Sequence, residues 1–209
     1  MSEKYPVSEF DDWAKTYDQD VTDEGEFPFI RYGDVLETIY TLSTPQSGMQ
    51  ILDIGTGTGN LAKKYIELGC KVWGTDYSTE MLNIAREKFP QATFLLSDLS
   101  GDWPPPGITL KFDRILSAYV LHHFTLDEKV QIIRNFFDNL QEDGVVIIGD
   151  LSFRSSQDLA QARIDFSNVW EEEDFWVANE TLHMLEKSDF SARYQQVSSC
   201  AGIYVIARS

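Results

Sequence analysis

Two spacings of apolar residues alternate along the chain, and this alternation predicts a parallel α/β sheet. Short apolar runs are typical of buried strands, whereas apolar residues that recur every three to four positions are typical of amphipathic helices. The strand-like runs are residues 49–54, 71–75, 92–96, 112–117 and 145–149. Because strands separated by helical segments form parallel sheets with right-handed crossovers, these runs predict five parallel strands.

Capping signals mark the predicted helices between these strands. Residues 60–68 have helical spacing and end at Gly69, a residue that suits a helix C-terminus. Ser78 is a good N-cap for the next helix, which runs up to the helix breaker Pro90. The sequence Thr125-Leu126-Asp127-Glu128 is a capping box and opens the helix before strand five.

Four segments rich in glycine, proline or acidic residues predict loops or turns. They are 18–26, 43–48, 101–107 and the dipeptide Asp143-Gly144, which is expected to turn the chain into strand five.

The residues before the first strand predict two helices. Phe10, Trp13, Ala14 and Tyr17 fall at helical spacing, and residues 29–42 form a second amphipathic segment. Two interpretations of Trp13 and Tyr17 remain open, namely packing against the sheet and a lid over a ligand pocket.

The C-terminal part of the chain has a different pattern. Residues 157–169 and 180–187 have helical spacing, and residues 193–199 and 202–207 are strand-like. Only Cys200-Ala201 joins the last two runs, which is too short for a crossover helix, so they should pair antiparallel as a hairpin.

These elements predict an α/β fold in one domain over residues 1–209. The expected sheet is Rossmann-like, doubly wound and seven-stranded, with five parallel strands closed by a C-terminal antiparallel hairpin. Residues 1–48 supply the N-terminal helices, residues 49–150 supply the five parallel strands, and residues 151–209 supply the last helices and the hairpin.

Three alternating glycines follow the first predicted strand. Glycine allows a tight turn and a close approach of a ligand to the backbone, and the following helix N-terminus presents free N–H groups. Read from Gly57 to Ala62, the motif fits a dinucleotide fingerprint. Read as Asp53-x-Gly55-x-Gly57-x-Gly59, it resembles motif I of the class I S-adenosylmethionine (SAM)-dependent methyltransferases.

Composition and charge narrow the class of substrate. The chain has 209 residues, no apolar run near the ~20 residues of a membrane helix, and an N-terminus without the apolar core of a signal peptide. Two cysteines are too few for a disulfide framework and form no metal motif, so a reducing cytoplasm is expected. The net charge of −17 disfavours nucleic acids and anionic membranes as substrates. It is compatible with a neutral or cationic small molecule, and the alternative is that it serves solubility alone.

Acidic residues follow several of the predicted strands. Asp76, followed by Tyr77, lies 17 residues after Gly59, where a carboxylate can accept hydrogen bonds from the two hydroxyls of a ribose. A helix N-terminal carboxylate is the structural alternative for this residue. Asp150 ends strand five and can touch substrate or cap a loop, and the acidic run 171–174 is expected to be a solvated turn between aromatic anchors, with a substrate-covering flap as the alternative.

Together these stretches resemble the small bacterial SAM-dependent methyltransferases of the YrrT type, over nearly the whole chain. The motifs that carry the resemblance are residues 10–18, the Asp53 glycine motif, Asp76, Asp98 and the run 117–124 with its paired histidines. The C-terminal region departs from any substrate-binding pattern, which leaves the acceptor open. The Asn/Asp-Pro-Pro-Tyr/Phe motif of nucleic-acid amino-methylating enzymes does not occur after strand four.

The resemblance implies SAM as cofactor, with residues 49–150 as the cofactor-binding core and the N-terminal helices of residues 1–48 as a lid. It also assigns roles around the cofactor. The glycine turn takes the methionine portion, Asp76 the ribose, and Asp98 with the backbone of Leu99 the adenine. The segment from Ser117 borders the reactive sulfur. The full set of expected cofactor contacts is Asp53, Gly55, Gly57, Gly59, Asp76, Tyr77, Asp98, Leu99, Ser117 and Tyr17.

His122 and His123 are the candidate catalytic residues. A histidine can act as general base near neutral pH. The alternative is that one histidine packs behind the loop and hydrogen-bonds the backbone, while the other only shapes the pocket. The third histidine, His183, is expected to be structural. The expected reaction is therefore methyl transfer to a small-molecule acceptor by a monomer or homodimer, without a metal.

Three other functions stay open on the sequence alone. They are an NAD-dependent oxidoreductase, a non-catalytic protein that binds SAM or S-adenosylhomocysteine (SAH), and a protein methyltransferase. The Asp53 frame, Asp98 and the terminal hairpin weigh against the first of these.

Overall fold

A computed structural model describes residues 6–22 and 26–209 of the chain. Residues 1–5, on which the prediction about a signal peptide rests, and residues 23–25 of the predicted 18–26 loop lie outside the described part. The described helices are α1 Val7–Trp13, α2 Tyr17–Asp20, α3 Tyr32–Ser43, α4 Asn60–Leu68, α5 Thr79–Lys88, α6 Leu126–Asp138, α7 Ser156–Asp165 and α8 Ala178–Lys187, with a 3-10 turn at Leu121–His123. The strands are β1 Gln50–Ile54, β2 Lys71–Asp76, β3 Thr93–Leu96, β4 Phe112–Ala118, β5 Leu140–Phe153, β6 Trp176–Val177, β7 Phe190–Gln196 and β8 Ala201–Arg208.

The strands form one mixed sheet in the order β3-β2-β1-β4-β5-β8-β7. Strands β1 to β5 pair in parallel, while β8 pairs antiparallel with both β5 and β7. The predicted fold class is confirmed, with one addition: the two-residue strand β6 pairs in parallel with the end of β5. The strand order reverses between β1 and β4, and open α/β sheets bind their ligands at the carboxyl ends of the strands beside such a reversal.

Apolar side chains on both faces of the sheet account for the layered architecture. In β5, Val146 and Ile148 belong to the cluster that packs against α6 and α8. Ile147 lies between them and points to the opposite cluster, which includes residues of α3 and α4. Because both faces are covered, the central strands are apolar at successive positions, as the sequence predicted.

The predicted capping signals of α5 and α6 are present in the structure. Thr125 Oγ1 accepts from the backbone N–H of Glu128 at 3.4 Å, and Glu128 accepts from the backbone N–H of Thr125 at 2.8 Å, so the predicted capping box opens α6. Ser78 caps α5 by accepting from the backbone N–H of Met81.

The predicted turn at Asp143-Gly144 is wrong, because both residues lie inside β5. Phe112 pairs with Leu140 and Arg114 pairs with Val145, so four residues of β5 lie opposite a single residue of β4. The chain therefore changes register as a bulge within the sheet instead of leaving it.

Several helix boundaries also differ from the prediction. The first helical segment is divided into α1 and α2, and α2 occupies part of the predicted 18–26 loop. Helix α3 begins at Tyr32 because Arg31 has a left-handed backbone (φ 61°), which interrupts the helical geometry. Helix α7 ends at Asp165, four residues short of the predicted end.

Within the described part of the chain, no helix has both the length and the apolar character needed to span a bilayer.

Candidate active site

A cavity of about 370 Å³ opens at the carboxyl ends of β1, β2 and β4. Its volume falls in the range of ligand pockets. Its walls come from the glycine turn, the ends of the parallel strands, the N-terminal helices and the segment before β6. The described residues that line it are Phe10, Trp13, Tyr17, Phe27, Pro28, Phe29, Gly55, Gly57, Thr75, Asp76, Tyr77, Met81, Ser97, Leu99, Ala118, Tyr119, Val120, His122, His123, Leu151, Val169, Glu171, Glu173 and Phe175.

The glycine turn forms one end of the cavity. Gly55 and Gly57 have positive φ angles of 65° and 55°, which glycine adopts without strain. A Cβ at Gly55 would lie 2.2 Å from Cγ2 of Val120, so the backbone passes this neighbour more closely than any side chain allows. A Cβ at Gly57 would lie 3.8 Å from the ring of Tyr17.

Asp76 joins the glycine turn to the end of β2. Its Oδ2 accepts from the backbone N–H of Gly57 at 2.8 Å, and its Oδ1 accepts from the backbone N–H of Ser78 at 2.9 Å. Burial raises the pKa of Asp76, and these N–H donors oppose the rise. The carboxylate thus lies in the cavity wall, and its role toward a ribose stays a prediction.

Three of the residues expected to contact the cofactor lie behind the wall. Asp53 is buried and accepts from Thr56 Oγ1 at 2.7 Å, and burial raises the pKa of Asp53 to about 7. Gly59 is the N-cap of α4, and Ser117 Oγ donates to the carbonyl of Ile54 at 3.1 Å. These contacts hold the glycine turn in place without lining the cavity.

The loop after β3 places only part of its predicted motif on the cavity. Ser97 and Leu99 line it, whereas Asp98 between them is not among the lining residues. Asp98 Oδ1 accepts from the backbone N–H of Ser100 at 2.8 Å, which fits the turn that follows. An adenine contact from Asp98 therefore stays a prediction.

The N-terminal helices cover the cavity with aromatic rings. Phe10 packs edge-on against Tyr77, and Trp13 packs edge-on against Tyr17, with ring centroids 5.1 and 4.7 Å apart. A side-chain hydrogen bond connects this cover to the start of α5, because Ser78 Oγ donates to Asp11 of α1 at 2.6 Å.

The sequence predicts only part of the second segment of the cover, Phe27-Pro28-Phe29. Phe29 links Trp13 to Tyr119, with ring centroids 5.9 and 5.4 Å apart. Residues 27 and 28 fall between the predicted 18–26 loop and the predicted helix over 29–42, and Phe29 precedes α3 instead of beginning it.

The other end of the cavity contains a buried His–Asp pair. His122 Nδ1 lies 2.6 Å from Asp150 Oδ1, and the backbone N–H of His122 donates to Oδ2 at 3.0 Å. Trp176 Nε1 and the backbone N–H of Leu151 donate to the same carboxylate at 3.0 and 2.8 Å. Burial acts to raise the pKa of Asp150, but the charge and hydrogen bond of His122, the charge of Lys129 and the backbone N–H of Leu151 outweigh burial, so the pKa is lowered.

This arrangement fixes the histidine tautomer. An ionised carboxylate only accepts hydrogen bonds, so the proton between the two groups lies on Nδ1 of His122. In the neutral imidazole the lone pair then lies on Nε2, and His122 lines the cavity. The same logic orients the histidine of a catalytic triad. Asp150 itself lies under the cavity wall rather than in it, and it is inside β5 instead of at its end.

His123 lies beside Glu173 at the same end. Its Nδ1 is 3.6 Å from Glu173 Oε2, and both side chains are about one-tenth exposed (11%). Burial and then the charge of His122 lower the pKa of His123, while Glu173 acts in the opposite direction. The expectation of a solvated turn over 171–174 is therefore wrong for Glu173, and Glu171 also lines the cavity.

A buried lysine holds this acidic segment. Lys129 of α6 is 1% exposed, its Nζ donates to the carbonyl of Asp174, and it lies 4.8 Å from the centroid of the Trp176 ring. The backbone N–H of Asp174 donates to the carbonyl of His122 at 3.0 Å. Burial lowers the pKa of Lys129 from 10.5 to about 8, although the charges of nearby acidic residues act to raise it. Nothing in the sequence distinguishes Lys129 from a surface lysine.

Two tyrosines on the cavity have unsatisfied hydroxyls. The hydroxyls of Tyr77 and Tyr119 are buried and have no hydrogen-bond partner among the described residues. Tyr119 also has a positive φ of 57°, an uncommon conformation for an aromatic residue. Strained backbone and unpaired polar groups concentrate at ligand sites, so both features fit a binding cavity.

The permanently charged side chains of the described lining are carboxylates. Asp76, Glu171 and Glu173 line the cavity, while no lysine or arginine of residues 6–22 and 26–209 does so. The same part of the chain contains no group of three or more His, Cys, Asp or Glu side chains arranged to hold a metal ion.

Comparisons with known proteins agree with this architecture. Residues 51–144 match the family model described as a methyltransferase domain. An uncharacterized methyltransferase of Oceanobacillus iheyensis is 32% identical over 201 residues, which cover 90% of this chain and 91% of the relative.

Two solved structures show the same fold at lower identity. A TehB-like SAM-dependent methyltransferase of Corynebacterium glutamicum superposes with a TM-score of 0.68 at 20% identity, covering 98% of this chain and 100% of that chain. A DhpI complex with SAM and HEP superposes with a TM-score of 0.73 at 19% identity, covering 96% of this chain and 95% of that chain.

Proposed function

The chain belongs to the class I SAM-dependent methyltransferases, and we propose that it transfers the methyl group of SAM to a small-molecule acceptor. One observation carries this proposal. A single cavity contains the glycine turn with Asp76 at one end and the oriented His122 at the other. A cavity of about 370 Å³ covered by aromatic rings suits small ligands better than a polymer.

The glycine end fits the cofactor. The close backbone approach at Gly55 and Gly57, the carboxylate of Asp76, and the unsatisfied hydroxyl of Tyr77 provide the types of group that a nucleoside with an amino-acid tail requires. Leu99 supplies an apolar contact for a base, and the aromatic ring of Tyr17 covers the turn. Asp98 remains the proposed partner of the adenine amino group.

Bound SAM supplies a methyl group on a sulfonium, which is already activated toward in-line displacement. The protein therefore contributes mainly positioning and the exclusion of water. The aromatic cover performs the second task, because Phe10, Trp13 and Phe29 replace water around the reacting groups. His122 takes a proton from the acceptor at Nε2, and Asp150 stabilises the imidazolium that results.

Ligand-dependent thermal unfolding tests the cofactor assignment, because a ligand that binds only the folded state raises the unfolding midpoint. SAM and SAH should both raise the midpoint, and NAD should leave it unchanged. A rise with NAD alone would show that the glycines belong to the dinucleotide frame.

An acceptor screen with labelled SAM tests catalysis. Small molecules should become labelled, and His122→Gln should lower kcat for the labelled acceptor by roughly 10²–10⁴-fold, the usual contribution of a general base, with SAM affinity retained. His183→Gln is the matched control, because His183 is exposed and is not part of the cavity lining. Binding of SAM and SAH without transfer to any molecule would indicate a sensor, and transfer only to proteins would indicate a protein methyltransferase.

A further inference from the structure

We propose that the acceptor is an amine, which binds as an ammonium ion between Glu173 and the aromatic rings of the cavity and is methylated on nitrogen. This inference rests on the proposed function, because it concerns the acceptor end of the same cavity. It adds the charge of the substrate and the atom that is methylated, neither of which the methyltransferase family specifies.

The charge of the lining favours a cation. Among the described residues, two of the three lining carboxylates, Glu171 and Glu173, come from the segment before β6, at the His122 end. No lysine or arginine of the described chain lines the cavity, so a carboxylate or phosphate acceptor would enter without a counter-charge. An ammonium ion would find the opposite charge directly in the wall.

Glu173 is held in place rather than free to swing into solvent. Its side chain is 11% exposed. The next residue, Asp174, is anchored through its N–H to the carbonyl of His122 and through its carbonyl to buried Lys129. A carboxylate fixed in this way can select a ligand, because little side-chain entropy is lost when the ligand binds.

Aromatic rings provide the second half of the recognition. Phe10, Trp13, Phe29 and Phe175 line the cavity, and the ring of Phe10 lies edge-on to His123 with centroids 6.2 Å apart. Aromatic faces attract ammonium groups, most strongly where water is excluded.

The reaction balances with the residues in place. The ammonium ion gives one proton to Nε2 of His122 and becomes a neutral amine with a free electron pair. The nitrogen forms a bond to the methyl carbon while the carbon–sulfur bond breaks, and that electron pair stays on sulfur, which becomes a neutral thioether. The product leaves as a methylated ammonium ion, and the imidazolium of His122 returns its proton to water.

Matched ligand sets test this inference. Phenyl-, naphthyl- and indolyl-ethyl compounds, each as the amine, the alcohol and the corresponding propionate, are titrated calorimetrically into the SAH complex of the full chain. The comparison uses wild type, Glu173→Gln and Glu172→Gln. Glu172 is the control because it lies in the same segment, does not line the cavity, and forms an exposed ion pair with Arg163 at 2.7 Å.

We expect at least one amine to bind at least tenfold more tightly than its alcohol, and the propionates not to bind. Glu173→Gln should weaken the binding of that amine at least tenfold and leave the affinity for the alcohol unchanged. Glu172→Gln should bind both compounds as wild type does. With labelled SAM, the label should appear on the nitrogen of the amine.

Each contrary result overturns the inference. These results are an alcohol or propionate that binds as tightly as its amine, a Glu173→Gln variant whose amine affinity stays within twofold of wild type, or no amine that binds at all. Failure of SAH itself to bind the wild type would instead overturn the proposed function, so the two failures are distinguishable.

Discussion

The two ends of the cavity are built in different ways. The glycine end is made largely of backbone. Positive φ angles at Gly55 and Gly57 set its shape, together with the hydrogen bonds that Asp76 accepts from backbone N–H groups. The histidine end is made of side chains, with His122, Asp150 and Glu173 contributed by segments that are distant in sequence.

This difference shows how one fold can keep its cofactor and vary its acceptor. A backbone site tolerates changes in most side chains but almost none at its glycines. A side-chain site changes its chemistry with each substitution, provided that the buried charges remain paired. The comparison predicts that substitutions at the glycine end alter stability and cofactor affinity, and that substitutions at the histidine end alter acceptor binding and pH dependence.

Gly55→Ala should have the largest effect. The new Cβ would lie 2.2 Å from Val120 Cγ2, and alanine disfavours a φ of 65°. The left-handed backbone costs roughly 1–2 kcal/mol and overpacking roughly 1–3 kcal/mol, so the free energy of unfolding should fall by about 2–5 kcal/mol in urea titrations. Val120→Ala added to this variant should recover the steric part.

Gly48→Ala is the control for Gly55. Gly48 also has a positive φ, 89°, but no atom of the described residues lies within 4 Å of the position that a Cβ would take there. This variant should lose only the roughly 1–2 kcal/mol that the left-handed backbone costs an alanine. Equal losses in both alanine variants would contradict the close approach at Gly55.

Lys129→Met should change how stability depends on pH. Burial lowers the pKa of Lys129 from 10.5 to about 8, so between these values the unfolded chain holds a proton that the folded protein has released. Wild-type stability should therefore rise relative to the variant by roughly 3 kcal/mol as pH increases from 7 to above 10, at about 1.4 kcal/mol per pKa unit. Urea titrations at several pH values measure this difference.

The exposed Lys63, paired with Glu67 at 3.8 Å, provides the control, and Lys63→Met should show no such window. At pH 7 Lys129→Met should unfold at the same or a higher urea concentration than wild type. If the free energies of unfolding of wild type and Lys129→Met changed with pH in parallel, the lowered pKa of Lys129 would be contradicted.

Asp76→Ala should weaken SAM binding by roughly 1.5–3 kcal/mol, the range of hydrogen bonds to charged groups, while the domain remains folded. Calorimetry measures the affinity, and urea titration measures the cost of leaving the N–H groups of Gly57 and Ser78 without their acceptor. Glu173→Gln, at the other end of the cavity, should bind SAM as wild type does. Unchanged affinity in Asp76→Ala would refute the ribose assignment.

His123 should give the smallest effect. Burial and the charge of His122 lower the pKa of His123, whereas Glu173 acts to raise it. At acidic pH the unfolded chain therefore binds a proton at His123 more readily than the folded protein does. Stability should therefore fall as pH drops below about 6.5, and His123→Gln should reduce this slope. His183→Gln, which changes an exposed histidine, should keep the wild-type slope. If stability depended more steeply on pH in His123→Gln than in wild type, the pKa of His123 would be raised in the folded protein, not lowered.

The sequence predicted the glycine end more fully than the histidine end. Gly55, Gly57, Asp76 and Tyr77 all lie on the cavity, and each follows a predicted strand within a few residues. The same reasoning placed Ser117 on the cavity, whereas its hydroxyl bonds the neighbouring strand. A motif gives the position of a residue along the strand but not the side to which its side chain turns.

The histidine end could be predicted only in part. The sequence singled out His122, His123 and Asp150, but not that Asp150 would hold His122 across 28 residues. Glu173 was expected to be solvated, and Lys129 carried no signal at all. Their burial depends on how the segment before β6 packs against α6, and no local pattern records that contact.

Local sequence predicts the alternation of strands and helices, the capping of α5 and α6, and the glycine turn, because each depends on backbone preferences within a few residues. Packing of the whole chain produces the bulge that absorbs Asp143-Gly144 into β5, the position of Phe27 to Phe29 on the cavity, and the charged network around Asp150. Those features arise from sheet register and from the desolvation of groups brought together by packing. The acceptor end of the site therefore follows from the assembled fold, whereas the cofactor end follows from the order of residues along the chain.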